Sequence, residues 1–284
     1  MTFLDRQLAL GVLYDHLTDK SKVLTKKGLK KVEIEDNGVR VTTEDGELFT
    51  GDILVGADGV HSKVRQEMLR LSEPGHFPPE TKAMPCDYGC IFGISNPCGN
   101  IKAGSYNGVF HHNRSYLILG ALHDRVFWFH FFKLEKRTYG TDIPRFSKED
   151  EAQQLKKVAS DPVMPGFTFG DIVQNKITSN MTAVPEYTYN KWHYDRIITT
   201  GDACHKFHPI TGHGGNAAIE TAATLTNGLV KAFNKSTSST LSSPQISSLF
   251  QEVQDIRYKR VKDLIQVSHD QQRVEALEIL SSSL

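Results

Sequence analysis

The chain has 284 residues, and 33 Lys and Arg balance 33 Asp and Glu to a formal net charge of zero. That balance offers no basic surface for phosphate backbones and excludes nucleic acid as the expected partner. The length suits two domains of about 100–200 residues better than one small module. The four cysteines (Cys86, Cys90, Cys98, Cys204) form no paired CxxC units and read as reduced thiols of an intracellular protein.

In chain order, Leu4, Leu8 and Val12 recur at i, i+4 and i+8, and Leu10, Leu13 and Leu17 widen the stripe. This predicts a helix over 3–17 with a broad face to bury. Asp5 and Arg6 break the apolar run and no small-residue cleavage site follows, so it fails as a secretory signal. No apolar run reaches the ~20 residues that span a bilayer, and the expectation is a soluble, cytoplasmic chain without a membrane segment. Between 22 and 57 the period changes to two, with Asn37-Gly38 and Asp45-Gly46 as turn signals, which predicts a β-meander leading into the buried strand "DILVGA". Residues 61–70 predict a short helix and 74–85 a Pro-rich crossover.

"YGCIFGIS", "SYLILGAL" and "RVFWFHFFKL" are apolar, aromatic and β-branched runs that suit an antiparallel sheet in a second lobe beginning near residue 80. Ser147 followed by Asp150 approximates a capping box and starts a helix over 147–160. "RIITTGD" (196–202) reads as a short buried strand, followed by a helix from about 213 to 234 and a Ser/Thr-rich linker. A final helix starts near 246, with Leu249, Val253 and Ile256 on its packed face. The fold class is α/β, with α+β character. A Rossmann-like lobe comprises 1–79 and 180–235, an antiparallel-sheet lobe 80–179, and the C-terminal helix 246–284.

Two stretches carry chemistry. "GDACHKFHPITGHGGNAAIETAATLTNGL" (201–229) sets Asp202 at a strand tip, then a loop, then a helix start free of bulky side chains at Gly212, Gly214 and Gly215. A helix start presents unpaired N–H groups and partial positive charge. Asp202 is suited to accept hydrogen bonds from sugar or polyol hydroxyls, and Pro209 stiffens the loop against a flat ring. The alternative is a Gly-rich turn that holds no ligand. In "GDILVGADGVHSKVR" (51–65) a buried strand ends in Gly56-Ala57-Asp58-Gly59 and a helix opens, which sets Asp58 and Arg65 near a dinucleotide's diphosphate and ribose.

On these motifs the chain resembles the flavin-dependent monooxygenases of the p-hydroxybenzoate hydroxylase fold, especially fungal members that epoxidise prenylated natural-product intermediates. "FLDRQLALGVLYDHL" resembles the helix whose Arg reaches FAD, which implicates Arg6. "GADGVHSKVR" resembles the motif whose Asp serves FAD and the pyridine nucleotide, which implicates Asp58 and Gly59 with Arg65 in support. "GDACHKFHPITGHGGNAAIETAATL" resembles the Gly-Asp motif at the ribityl chain and flavin ring, which implicates Asp202, Pro209, Gly214, Gly215 and Asn216. Phe207 and His213 stand where family members often carry Met and Gln. No GxGxxG occurs, whereas members begin with a βαβ unit containing it. The resemblance therefore implies an FAD lobe without its first βαβ unit, either as a fragment of a longer enzyme or as an impaired FAD site.

The resemblance implies FAD and NADPH as cofactors and an apolar small-molecule substrate, prenylated or aromatic, that receives one oxygen atom. It sets His111 and Tyr106 on the substrate-side sheet, with His111 as a pocket polar group or general base; an exposed loop histidine is the alternative. His205, His208 and His213 lack a zinc spacing, so no metal is expected. Readings of a different class are a flavin-impaired descendant acting as a non-redox binding protein, cyclase or isomerase, and a truncated gene product.

Overall fold

The computed structural model of the chain describes residues 6–79, 84–121, 125–236, 238 and 240–279. In chain order the elements are α1 (Arg6–Asp15), β1 (Leu29–Glu35), β2 (Gly38–Thr43), β3 (Leu48–Gly51), β4 (Leu54–Gly56), α2 (Lys63–Leu71), β5 (Pro85–Ser95), β6 (Tyr106–His111), β7 (Arg114–Gly120) and β8 (Val126–Tyr139). There follow α3 (Lys148–Lys157), β9 (Pro162–Met164), β10 (Phe167–Thr168), α4 (Phe169–Gln174), β11 (Lys176–Ala183), β12 (Tyr187–Thr188), β13 (His193–Tyr194), β14 (Ile197–Thr199), β15 (His205–Lys206), α5 (His213–Lys235) and α6 (Ser243–Glu275). The fold is mixed α/β, as expected. It divides into a sheet unit (Met1–Val23, Cys86–Val184, Asp270–Leu284) and a strand-helix unit (Leu24–Pro85, Pro185–His269). The sheet unit takes in α1, although the motif in that helix assigns it to the FAD-binding lobe.

In the strand-helix unit the meander forms as its turn residues dictate: Glu35 pairs with Gly38 across a two-residue turn, and β2 then pairs with β3. Beside it, β14 and β4 run parallel, with Ile198 opposite Val55 and Thr199 opposite Gly56. Gly56 must be glycine, because a Cβ there would meet Val64 of α2 at 2.7 Å. Val32, Val39, Val64, Met68 and Ile197 bury this layer. A second cluster seats Ile246, Leu249, Phe250 and Val253 of α6 against Leu225 of α5 and Ile198.

The inward face of α6 departs from the expected one. Ile256 is 58 % exposed, and the inward positions that follow Val253 are Gln254 and Arg257, 7 % and 5 % exposed. A heptad-like spacing of 246, 249/250, 253 and 257 thus runs through a charged residue, which hides it from an apolar count.

In the sheet unit the order is β11-β5-β8-β7-β6, all neighbours antiparallel. One face packs on α3 and α4: Ile91, Tyr116, Ile118, Val126 and Trp128 meet Leu155, Phe169 and Ile172. The Trp128 indole donates to Ser95 Oγ at 2.9 Å, and Ser95 passes its own proton to the Ile172 carbonyl, so the buried ring leaves no open donor. Ser147 and Asp150 form the expected capping box, and Thr168 with Asp171 forms another on α4. The apolar stripe of α1, by contrast, covers nothing in this unit: Leu8, Leu10, Val12 and Leu13 are all exposed. No helix among the described residues is long and apolar enough to cross a membrane.

Candidate functional site

The parallel pairing of β4 and β14 sets the two motifs side by side. The Thr200 N–H donates to the Gly56 carbonyl at 2.8 Å, so both chains leave the same carboxyl edge of the sheet. Asp58 and Gly59 follow one strand and Gly201 and Asp202 the other. Such an edge is where α/β folds take ligands.

Beyond β14 the chain enters a tight turn. Gly201 sits at φ +58°, with Ala218 of α5 3.2 Å from where a Cβ would stand, so the loop lies directly on the helix. Asp202, partly exposed, pairs with Lys206 at 2.9 Å, and its carbonyl accepts the Tyr187 hydroxyl at 2.7 Å. Its carboxylate retains lone pairs for a hydroxyl-bearing ligand.

Pro209 opens a short 3-10 turn and is exposed, and Gly212 in the left-handed region then caps α5 without any side-chain hydrogen bond. Nothing stands within 4 Å of a Cβ built on Gly212, Gly214 or Gly215, and Gly215 and Asn216 are exposed. The first turn of a 23-residue helix is thus open to a flat group, with no acidic side chain competing for its N–H donors. An electron-rich ring and a polyol chain fit this cradle, and FAD has both. Pro209, Gly214, Gly215, Asn216 and Asp202 are brought together as the motif implies.

The Asp58 motif is built differently. Asp58 accepts Ser62 Oγ at 2.5 Å and the N–H groups of Lys63 and Val64 at 2.6 and 3.0 Å, so most of its carboxylate caps α2. Gly59, at φ +79° with open space beside it, leaves the turn approachable. Arg65 points into the unit: it is 4 % exposed, its guanidinium lies 3.4 Å from the Tyr189 ring centroid, and it donates to the Lys191 carbonyl at 3.0 Å. This placement gives Arg65 a packing role beneath the turn, a long cation held against an aromatic ring. Arg6 opens α1 in the sheet unit.

The two residues implicated on the sheet lie on opposite faces. β6 alternates, so Val109 and His111 face the α3/α4 core while Tyr106, Gly108 and Phe110 face away. His111 meets the Tyr116 ring edge-on at 5.8 Å. Tyr116 in turn donates to Asp161 at 2.5 Å, where Arg114 is also held at 2.7 Å. His111 and Tyr106 both lie on the sheet but on different faces, because an odd residue separation on a strand sends side chains to opposite sides. Tyr106 is 57 % exposed and shares its face with exposed Phe110 and Phe92. Partial desolvation, followed by the Glu275 carboxylate, raises its phenol above the ordinary value.

Four residues beneath the cradle carried no ligand signal in the sequence. His205 and Thr221 are wholly buried, and Arg257 and Glu220 join them across α5 and α6. Burial, then Arg257, holds His205 neutral, with its pKa lowered to about 4. Among the described residues no group of three or more His, Cys, Asp or Glu gathers as metal ligands.

The chain is similar to known proteins in sequence and in fold. FAD-dependent monooxygenase spyC of Aspergillus fumigatus is 40% identical over 99% of this chain, and penE of Penicillium thymicola 37% identical over 93%. The chain spans about three fifths of the length of these curated relatives, 60% and 57%. Among solved structures, Klebsiella pneumoniae HpxO complexed with FAD and uric acid superposes with a TM-score of 0.70 at 20% identity, covering 96% of this chain and 64% of that one. The 2,6-dihydroxypyridine-3-hydroxylase from Arthrobacter nicotinovorans does so at 0.72 and 17%, covering 95% and 69%. These likenesses establish the flavoprotein fold of the p-hydroxybenzoate hydroxylase type. Residues 7–244 match the family model described as FAD binding domain, and on that match the chain belongs to the FAD-binding domain family.

Proposed function

We propose that the protein is an FAD- and NADPH-dependent monooxygenase that inserts one oxygen atom into an apolar small molecule, by epoxidation of a prenylated compound or hydroxylation of an aromatic one. The observation that carries this reading is the open start of α5, whose cap Gly212 makes no side-chain hydrogen bond, beside Asp202 at the carboxyl edge of β4 and β14. When bound, FAD supplies electron transfer from NADPH and activation of dioxygen.

The residues of the chain bind and orient. Asp202 would accept hydrogen bonds from the ribityl hydroxyls, with Lys206 at 2.9 Å holding its carboxylate in place. The N–H groups of α5 at Gly214, Gly215 and Asn216 would hold the flavin ring, a preorganised helix start suited to stabilise negative charge on it. Pro209 would stiffen the loop beside it. Asp58 keeps α2 in place under the turn at Gly59, and Arg65 supports it from inside. Arg6 is assigned to FAD by its motif. On the sheet unit, Phe92, Tyr106 and Phe110 offer an aromatic surface for an apolar substrate, with the Tyr106 phenol as its polar group. The localisation that accompanies this reading is cytoplasmic.

The reading is tested by incubating the purified chain with excess FAD, removing the unbound fraction and recording the visible spectrum beside that of Asp202→Ala. A retained flavin spectrum that weakens in the variant supports it, and NADPH oxidation follows as the next assay. A folded chain that keeps no flavin defeats it in favour of a non-redox role.

A further inference from the structure

A single hydroxyl group joins three elements under the cradle. Thr221 Oγ donates to the Ala217 carbonyl at 2.9 Å, one turn back along α5, which uses its only proton. It is therefore an acceptor toward its other neighbours: His205 Nε2 at 3.1 Å and Arg257 Nε at 3.3 Å. A hydroxyl has one donor and two acceptor sites, so Thr221 is saturated, and His205 must carry its proton on Nε2. His205 stands three residues after Asp202, on a strand paired to β12 through Thr188. Arg257 belongs to α6 and also grips Glu220 Oε2 at 2.5 Å, the carboxylate that Arg260 holds through two contacts of 2.9 Å.

The loop bearing Asp202, the helix bearing the glycine cradle and the long helix behind both thus meet at one oxygen. Ala217 directly follows Asn216, and Ala218 is the residue on which Gly201 rests. Any slip of α5 along its axis changes the distance from Asp202 to the open first turn and breaks these bonds together.

We infer that Thr221, with His205 and Arg257 donating to it, is a positioning residue that fixes the spacing between Asp202 and the start of α5, and so sets the affinity and reduction potential of FAD bound there. This rests on the cofactor assignment above. The three side chains are buried beneath the cradle, so they act through it. Loss of the anchoring hydroxyl removes acceptors from two buried donors, and a net effect near that of one hydrogen bond corresponds to about ten-fold in binding.

The test compares the parent chain with Thr221→Val, which keeps the shape without the hydroxyl, and Thr221→Ser, which keeps the hydroxyl. FAD dissociation constants come from quenching of flavin fluorescence, and the midpoint potential of the bound flavin from dye equilibration. The expected result is a roughly ten-fold weaker Kd and a shifted potential in Thr221→Val, with Thr221→Ser restoring both to within about three-fold and a few millivolts of the parent. Thr221→Val that merely melts earlier, with Kd and potential unchanged, overturns the inference and leaves the cofactor assignment standing. If Thr221→Val does not fold, His205→Gln replaces it: a weaker Kd with a shifted potential supports the inference, and unchanged values of both overturn it. A parent chain that binds no FAD overturns the cofactor assignment and this inference together.

Discussion

Asp58 accepts the backbone N–H groups of Lys63 and Val64, at 2.6 and 3.0 Å, and with them holds the first turn of α2. A residue implicated in dinucleotide contact thus also holds the N-cap Ser62 and the first turn of the helix that follows. Asp58→Ala removes three hydrogen bonds that orient that turn, and we expect a loss of about 1–2 kcal/mol, at the upper end for a helix cap. Urea unfolding checks this, with a lower midpoint and an unchanged slope as the expected outcome. Asp58→Asn, which keeps acceptors for the N–H groups, is expected to lose less than half as much.

Arg65 shows how the same motif serves packing. Its guanidinium sits 3.4 Å from the Tyr189 centroid and 5.5 Å from that of Phe77, and donates to the Lys191 carbonyl. Lysine cannot reproduce a planar cation stacked on a ring. Arg65→Lys is therefore expected to cost about 1–2 kcal/mol in stability, measured by thermal or urea unfolding, while any change in FAD affinity stays small. A large loss of FAD binding at unchanged stability contradicts the placement of this side chain.

Much of this was legible in the sequence, for local reasons. Turn pairs such as Asp45-Gly46, the Ser147–Asp150 capping box and the apolar runs of β5, β7 and β8 each state their structure within a few residues, and all form as expected. The Gly-Asp motif is also local, since strand, loop and helix start are consecutive. What stayed hidden depends on partners far along the chain. β6 is not among the apolar runs that suit the sheet, and its pairing with β7 defines it. The inward face of α6 holds Gln254 and Arg257 at core positions, so periodicity of apolar residues pointed to Ile256 instead. Thr221 and His205 look like ordinary helix and loop residues until a single hydrogen bond joins them.

Three histidines make stability depend on pH in one direction. Burial lowers the pKa of His130 to about 3, of His205 to about 4 and of His208 to about 3, against 6.5 for an open histidine. Each is neutral in the folded chain, while the unfolded chain takes up a proton on each below pH 6.5. Their contribution is complete above that value and is lost as pH falls toward 3–4, at up to about 1.4 kcal/mol per pH unit for each. Glu220, lowered to about 2 by Arg260 and Arg257, adds a smaller, solvent-screened loss only below the ordinary glutamate value of 4.5. Buried Glu275, raised by desolvation, opposes it. Chemical unfolding between pH 7 and 4.5 is expected to show a falling midpoint, and His208→Gln, tested for slope rather than absolute stability, is expected to flatten it.

Gly120 tests the sheet unit. A Cβ there would overlap the carbonyl oxygen of Lys102, which is backbone and cannot rotate aside. Gly120→Ala is expected to cost about 3 kcal/mol or more through forced backbone movement, whereas Gly11→Ala on α1, with open space around it, gains up to about 1 kcal/mol from helix propensity. Unfolding midpoints of both, read against the parent, decide the matter.

Tyr106 and His111 end the same strand on opposite faces, and their variants are expected to separate cleanly. Tyr106 lies with Phe92 and Phe110 on the face that α3 and α4 leave uncovered, so on the proposed reading its loss changes the surface offered to substrate without opening the core. Tyr106→Ala is expected to raise KM for an apolar substrate several-fold, the loss of one aromatic contact of about 1 kcal/mol, with stability within about 0.5 kcal/mol of the parent. His111 packs edge-on against Tyr116, whose hydroxyl is bound to Asp161. His111→Ala is expected to lower stability by about 1–2 kcal/mol and leave KM alone. The informative readout is the pair of KM and unfolding midpoint for each variant. If His111→Ala instead reduced turnover at unchanged stability, the ring would have to reach the substrate face, which the alternation of β6 does not allow.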